Sequence, residues 1–303
     1  MELNQANYAA LTQAFNLVFQ DWFTQTETQW QQFAMRTESG TSESIYPWLG
    51  QTTAFREWLG DRVIQNLTQH GFTIRNKSFE NTVGVSRDAI DDDQYGVYKP
   101  LFAQLAQDAK RHPDILVFDL LKNGTKGLCY DGLPFFSTKH PVGLQGKEKP
   151  FSNDQGGTGT PWYLIDATKA IRSFIVQMRR DYQFVALDKV DDWRNFMAKE
   201  IMYGVDARLN VGYGLWQLAH RSAQDLTTDS YAAARADMMS IRSDAGAALN
   251  AKPSLLIVPP SLEEQALKTV MVERLANGAS NPYYKSCTVM TAPYLAGTEP
   301  APK

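Results

Sequence analysis

The chain has 303 residues, 43% hydrophobic and 21% charged, a balance that excludes wholesale disorder and allows roughly three quarters of the unfolded surface to be buried. Lys and Arg number 30 against 33 Asp and Glu, a formal charge of −3, so there is no basic field to grip nucleic acid. No run approaches the ~20 apolar residues of a membrane helix, and Met1-Glu2-Leu3-Asn4-Gln5 lacks both the basic and the apolar region of a signal peptide, so a cytoplasmic product is expected.

Tyr8, Leu11, Phe15, Val18, Phe19 and Trp22 recur at intervals of three and four, the stripe of a helix over 7–23. Two readings stay open for it: a helix packed on its own core, or an arm laid against a neighbouring subunit. Residues 37–53 are rich in Thr, Ser, Gly and Gln around Tyr46-Pro47-Trp48 and read as extended arm or loop. From Phe55 to Leu67 helix and strand signals mix. Phe72-Thr73-Ile74 alternates in one phase, and Phe79, Asn81, Val83 and Val85 in the other. Turn-compatible Asn76-Lys77-Ser78 lies between them, which predicts a β-hairpin.

Ser86-Arg87-Asp88 offers a helix cap, with Asp88, Asp91, Asp92 and Asp93 placed where a helix start favours negative charge. The spacing of Leu101, Leu105, Ala109, Leu116 and Leu120 predicts a helix from about Tyr98 to Leu121, kinked or restarted at His112-Pro113 and closed by a left-handed Gly124. Residues 143–161, rich in Gly, Lys and Asn, read as a flexible surface loop. Residues 162–219 read mostly as strands, although Asp191-Asp192-Trp193 marks the start of a helix over Phe196–Tyr203. Residues 229–248 are rich in Ala and Met and read as helix. A strand is predicted over Ser254–Val258, a helix from Ser261 to about Ala276, and a last strand over Thr288–Thr291.

Little in the chain suggests catalysis. Cys129, Asp131 and His140 are the one grouping that offers a nucleophile and a base, but their spacing matches no nucleophile motif. Asp131-Gly132-Leu133-Pro134 reads instead as a turn that inserts Phe135 and Phe136 into a core. Gly156-Gly157-Thr158-Gly159-Thr160 lacks the Gly-Lys-Ser/Thr of a phosphate loop, and Pro161 follows it directly. Asp91-Asp92-Asp93 lacks the alternating ligands and final Glu of a calcium loop, and Asp188, Asp191 and Asp192 fare no better. Cys129 and Cys287 stand apart without metal-binding neighbours and read as reduced core thiols. No catalytic, cofactor or metal residue is therefore expected.

One string is distinctive. Gly71-Phe72-Thr73-Ile74-Arg75-Asn76-Lys77-Ser78-Phe79-Glu80 is followed by Val83-Gly84-Val85-Ser86-Arg87-Asp88, then Asp91-Asp92-Asp93-Gln94-Tyr95-Gly96, and later by Cys129-Tyr130-Asp131-Gly132-Leu133-Pro134-Phe135-Phe136. Further blocks are Trp162-Tyr163-Leu164-Ile165-Asp166, Tyr203-Gly204-Val205-Asp206-Ala207-Arg208 and Pro253-Ser254-Leu255-Leu256-Ile257-Val258-Pro259-Pro260-Ser261-Leu262-Glu263. Together these resemble the Mu-like phage major head subunit, the gpT family.

The resemblance implies an α+β major capsid fold of the Hong Kong 97 type. It implies an N-terminal arm over 1–57, an extended β-hairpin loop over 58–87 and a spine helix of the peripheral domain within 88–130. A loop or axial segment follows over 131–161, a strand-rich peripheral segment over 162–226 and an axial helix–strand–helix with the C-terminal tail over 227–303. It also implies a structural protein without enzymatic activity, self-assembling into hexamers and pentamers of an icosahedral head that encloses double-stranded DNA without specific binding. Scaffold, portal and decoration proteins are the implied partners, with assembly in the bacterial host cytoplasm. Arm-like sequence appears within ten residues of Met1, so a separate scaffold is expected. On this reading, removing 1–35 leaves a folded subunit that cannot assemble, and Phe79 of the hairpin is covered by a neighbour.

Overall fold

The computed structural model describes residues 5–46, 72–92, 94–143, 148–189, 199–242, 248–275 and 278–297. Helix α1 (Gln5–Gln25) comes first. Strands β1 (Ala34–Glu38), β2 (Glu43–Tyr46), β3 (Phe72–Arg75) and β4 (Lys77–Ser86) follow, then α2 (Arg87–Asp91) and the long α3 (Lys99–Lys122). The second half holds β5 (His140–Val142), β6 (Lys149–Phe151), β7 (Trp162–Ile165), β8 (Phe174–Leu187), β9 (Glu200–Tyr213) and β10 (Ala219–Ser222). Helix α4 (Thr228–Ser240), β11 (Leu255–Val258), α5 (Glu263–Val270) and β12 (Thr288–Thr291) complete the order.

Two four-stranded sheets organise the chain, one ordered β1-β8-β9-β4 and the other β10-β7-β11-β12. β8 and β9 are 14 residues each, and β9 alternates buried Ile201, Tyr203, Val205, Ala207 and Leu209 with the less buried Met202, Asp206, Arg208 and Asn210, as a sheet more covered on one face requires. Helices α1 and α3 cover that face. The strands of 162–226 divide between the sheets, because β7 and β10 pair with each other in the second while β8 and β9 build the first.

Helix α3 joins two hydrophobic clusters. Its first half places Phe102, Leu105 and Ala106 with α1 and the far ends of β4 and β9. Its second half places Val117, Phe118 and Leu121 in the larger core, with Phe135, Trp162, Phe174 and Leu256. The helix runs through Pro113 without a restart. A proline inside a helix forfeits one hydrogen bond, and packing on both sides of it holds the helix together.

The N-terminal stripe resolves in favour of the chain's own core. Tyr8, Leu11, Phe15 and Phe19 are buried, and the Phe15 ring stacks on Phe102 at 4.0 Å and meets Tyr203 edge-on. Burying each such side chain stabilises the fold by about 1.5–3 kcal/mol. β1 likewise pairs in parallel with β8. Residues 5–35 thus pack on the chain's own core, which argues against the expectation that 1–35 could be removed without unfolding it.

The predicted hairpin is also corrected. β3 pairs with β2 and β4 with β9, each antiparallel, and neither pairs with the other. Asn76 is no turn tip: it is buried, its N–H donates to the Ser42 carbonyl, and its amide donates to Ser39 and Thr41. Its side-chain oxygen accepts from Gln177. Phe79 packs on His112 of its own chain, ring centroids 4.4 Å apart. Residues 47–71, with Trp48, Trp58 and the first part of the expected 58–87 loop, lie outside the described residues.

Smaller corrections have local causes. Residues 200–203 begin β9 and are not helical, while 196–198 fall outside the described residues. Gly124 is not left-handed but continues a tight turn over Asn123–Thr125. Glycine is needed there because a Cβ would stand 2.4 Å from the Phe136 ring. Ser86 occupies the cap position of α2 without a capping hydrogen bond from its side chain. α4 stops at Ser240 and α5 spans only Glu263–Val270. The expected flexible loop is largely tied down: β5 pairs with β6, Arg221 pairs with Asp154, and Gly159 donates its N–H to the Ala223 carbonyl.

Candidate assembly surface

The structure brings Cys129, Asp131 and His140 together. Gly132 adopts φ +78° in the turn, the Cys129 thiol donates to one Asp131 oxygen at 2.9 Å, and His140 Nδ1 lies 2.6 Å from the other. The Leu133 N–H also donates to Asp131, and the His140 ring stacks on Trp216 at 3.9 Å. Burial, reinforced by the Asp131 charge, pushes the Cys129 thiol up, which is the opposite of what activates a nucleophilic cysteine. Burial would raise Asp131 too, but the hydrogen bonds from His140 and Cys129 outweigh it and hold that carboxyl low.

These three are also the one group among the described residues whose ligand atoms cluster, within 4.8 Å. Each polar atom is already spent on another, and 2.6 Å is shorter than the separation of two ligands held at about 2.0–2.1 Å around one tetrahedral zinc. The arrangement is a latch that ties the 129–134 turn to β5, with Phe135 and Phe136 buried beneath it.

The other sequence candidates scatter. Asp188 accepts from Thr12 and tethers α1 to the end of β8, whereas Asp93, Asp191 and Asp192 lie outside the described residues. Two N–H or C=O groups of the Gly156–Thr160 loop bond to Ala223 of the same chain. His220, which no pattern singled out, is buried on β10 with both ring nitrogens lacking a hydrogen-bond partner. Its Nε2 stands 3.8 Å from Asp237, and burial lowers its pKa to about 4.

What the chain offers outward is surface. The β2–β3 ribbon buries Tyr46 and Ile74 against Ile175 and leaves Ile45 62% exposed. A groove of about 650 Å³ between α1 and α3 is lined by Val18, Trp22, Ala103, Lys99 and Arg111. A second recess of about 260 Å³, mostly apolar, lies between α3 and β4 beside Phe79, Ala109, His112 and Ile115. Sequence periodicity marks which residues are apolar but not which of them a single copy leaves uncovered, so these surfaces were not legible beforehand. Among the described residues no helix is long and apolar enough to cross a membrane.

Comparison with known proteins decides what such a surface-bearing, latch-bound fold belongs to. Residues 8–295 match the family described as the Mu-like prophage major head subunit gpT. The chain belongs to this family. The head subunit is 35% identical over 305 residues to the major capsid protein of Escherichia phage Mu, covering 97% of this chain and 100% of that one. Its structure superposes on the procapsid of bacteriophage JBD30 with a TM-score of 0.88 at 40% identity, covering 96% of this chain and 100% of that chain. A JBD30 capsid decorated with minor capsid protein trimers matches with a TM-score of 0.74 at 31% identity, over 88% of this chain and 90% of that chain. The fold is therefore of the Hong Kong 97 type, and the head subunit is the major capsid protein of a phage head, built to associate with itself into a shell.

Proposed function

We propose that the chain forms hexamers and pentamers of a closed icosahedral head that encloses double-stranded DNA as a container, with no catalytic, cofactor or metal site of its own. The observation that carries this reading is the match to head subunits along residues 8–295. The nearly balanced charge, 30 Lys and Arg against 33 Asp and Glu, supports containment over binding, since a DNA grip needs a basic field. The buried, protonated Cys129 supports a structural role for the 129–140 cluster.

In this reading α3 is the spine, the β1-β8-β9-β4 sheet is the peripheral domain, and the β10-β7-β11-β12 sheet with α4 and α5 is the axial domain. Assembly proceeds in the host cytoplasm with a separate scaffold and a portal, and decoration proteins bind the finished shell, as minor capsid protein trimers do on JBD30. Electron microscopy of the purified chain tests this: closed shells, or free hexamers and pentamers, are expected. A monodisperse monomer at every concentration contradicts it.

A further inference from the structure

His220 is buried on β10 with neither ring nitrogen in a hydrogen bond. Buried polar groups normally find partners, and one left without is costly to keep. Burial penalises a charge far more than a neutral dipole, so the closed packing accepts this ring only uncharged.

Three charged groups stand around it. Asp237 of α4 comes nearest, its carboxylate 3.8 Å from Nε2, beyond the ~3.2 Å limit of an N–H···O bond. The Asp237 side chain is half exposed, so water screens its attraction. Arg221, next in the strand and on its opposite face, is paired with Asp154 at 2.9 Å. β7 sets Leu164 opposite His220, and the Trp216–Leu218 turn before the strand carries no charge. Burial outweighs the Asp154 charge and holds the ring's pKa down to about 4.

α4 covers this ring with little else to hold it down. It follows β10 directly and packs back on it. Of its 13 residues only Tyr231, Ala234 and Met238 are buried. The Tyr231 hydroxyl bonds to Ser286, and Arg235 donates to the Pro253 and Ser286 carbonyls. A helix this short is marginal without its packing, and elements with few buried contacts open well before the whole chain unfolds. The long β8 and β9 are paired on both sides.

We infer that α4 is an acid-released clamp: when His220 takes a proton, the charged ring leaves the closed packing for water and α4 lifts off β10, while the β1-β8-β9-β4 sheet stays folded. Asp237 works in the other direction. Burial raises its pKa, so its own titration favours the closed helix and does not drive the release. The release is a property of the single subunit and does not depend on assembly.

Hydrogen exchange of the full-length unassembled chain, read by mass spectrometry and corrected for the pH dependence of intrinsic exchange, tests this. The ring's pKa is 6.5 when open and about 4 when closed, so the opening equilibrium rises about 70-fold from about pH 7.5 to about 4.5. Protection within 228–240 should fall by that factor while β8 and β9 keep theirs. In His220→Phe or His220→Gln it should stay level, and in Asp237→Asn the fall should persist. An unchanged α4 in wild type overturns the clamp, as does an equal fall in β8 and β9. So does a fall that survives loss of His220, or one that vanishes in Asp237→Asn. If neither His220 variant folds, wild type and Asp237→Asn decide by the same criteria.

Discussion

Asp114 shows how one buried side chain fixes the chain around it. It sits on α3 almost without exposure and accepts the N–H groups of Gln29 and Trp30 at 2.9 and 2.7 Å. Burial raises its pKa, and the two backbone donors pull it back in part. Asp114→Ala strands both donors and should cost about 2–3 kcal/mol in urea unfolding of the unassembled subunit, with Asp114→Asn costing less because it keeps an acceptor. His220 makes a prediction about pH. Its pKa falls from 6.5 to about 4 on burial, so between those values the unfolded chain takes up a proton that the folded chain refuses. Stability is therefore full above pH 6.5, is lost as pH falls toward 4, and changes no further below that through this group. The loss is about 3 kcal/mol at most. Thermal melts of wild type and His220→Phe across this range should show the variant with the flatter slope. Neither role was legible in the sequence, because a lone Asp inside a helical stripe and a lone His in a strand carry no pattern. The Asp131-Gly132-Leu133-Pro134 turn was legible, since its chemistry is local.

At the scale of elements, strong periodicity survived and pairing did not. The stripes of α1 and α3 and the apolar runs of β7, β8 and β11 were each visible from spacing alone. The partner of β3 was not, because a turn-like Asn76-Lys77-Ser78 suits a hairpin as well as a crossing between sheets. Only the burial of Asn76 against Ser39, Thr41 and Gln177 distinguishes the two. The start of β9 was misread for a related reason: Phe196–Tyr203 has an ambiguous short pattern, and pairing of Ile201 with Val85 makes its end a strand. The place of α1 is the most testable result here. Phe15 lies between Phe102 and Tyr203, so Phe15→Ala opens a cavity and should cost about 3–5 kcal/mol. Chemical denaturation of the unassembled subunit measures this, and a cost below about 1 kcal/mol would mark α1 as a detachable arm.

For the whole molecule, the nearly balanced charge argues against a nucleic-acid grip, and the long motif string points to a family on its own. The contacts between copies were out of reach, since exposure of Ile45 or Ile115 is a property of the fold and not of the residue. The account's central claim is that this chain works by contact with copies of itself. Sedimentation velocity over a range of concentration tests it most directly. Above a threshold the purified chain should leave the monomer for capsomers or for large, uniform shells. A chain that sediments as a monomer at every concentration would contradict the claim.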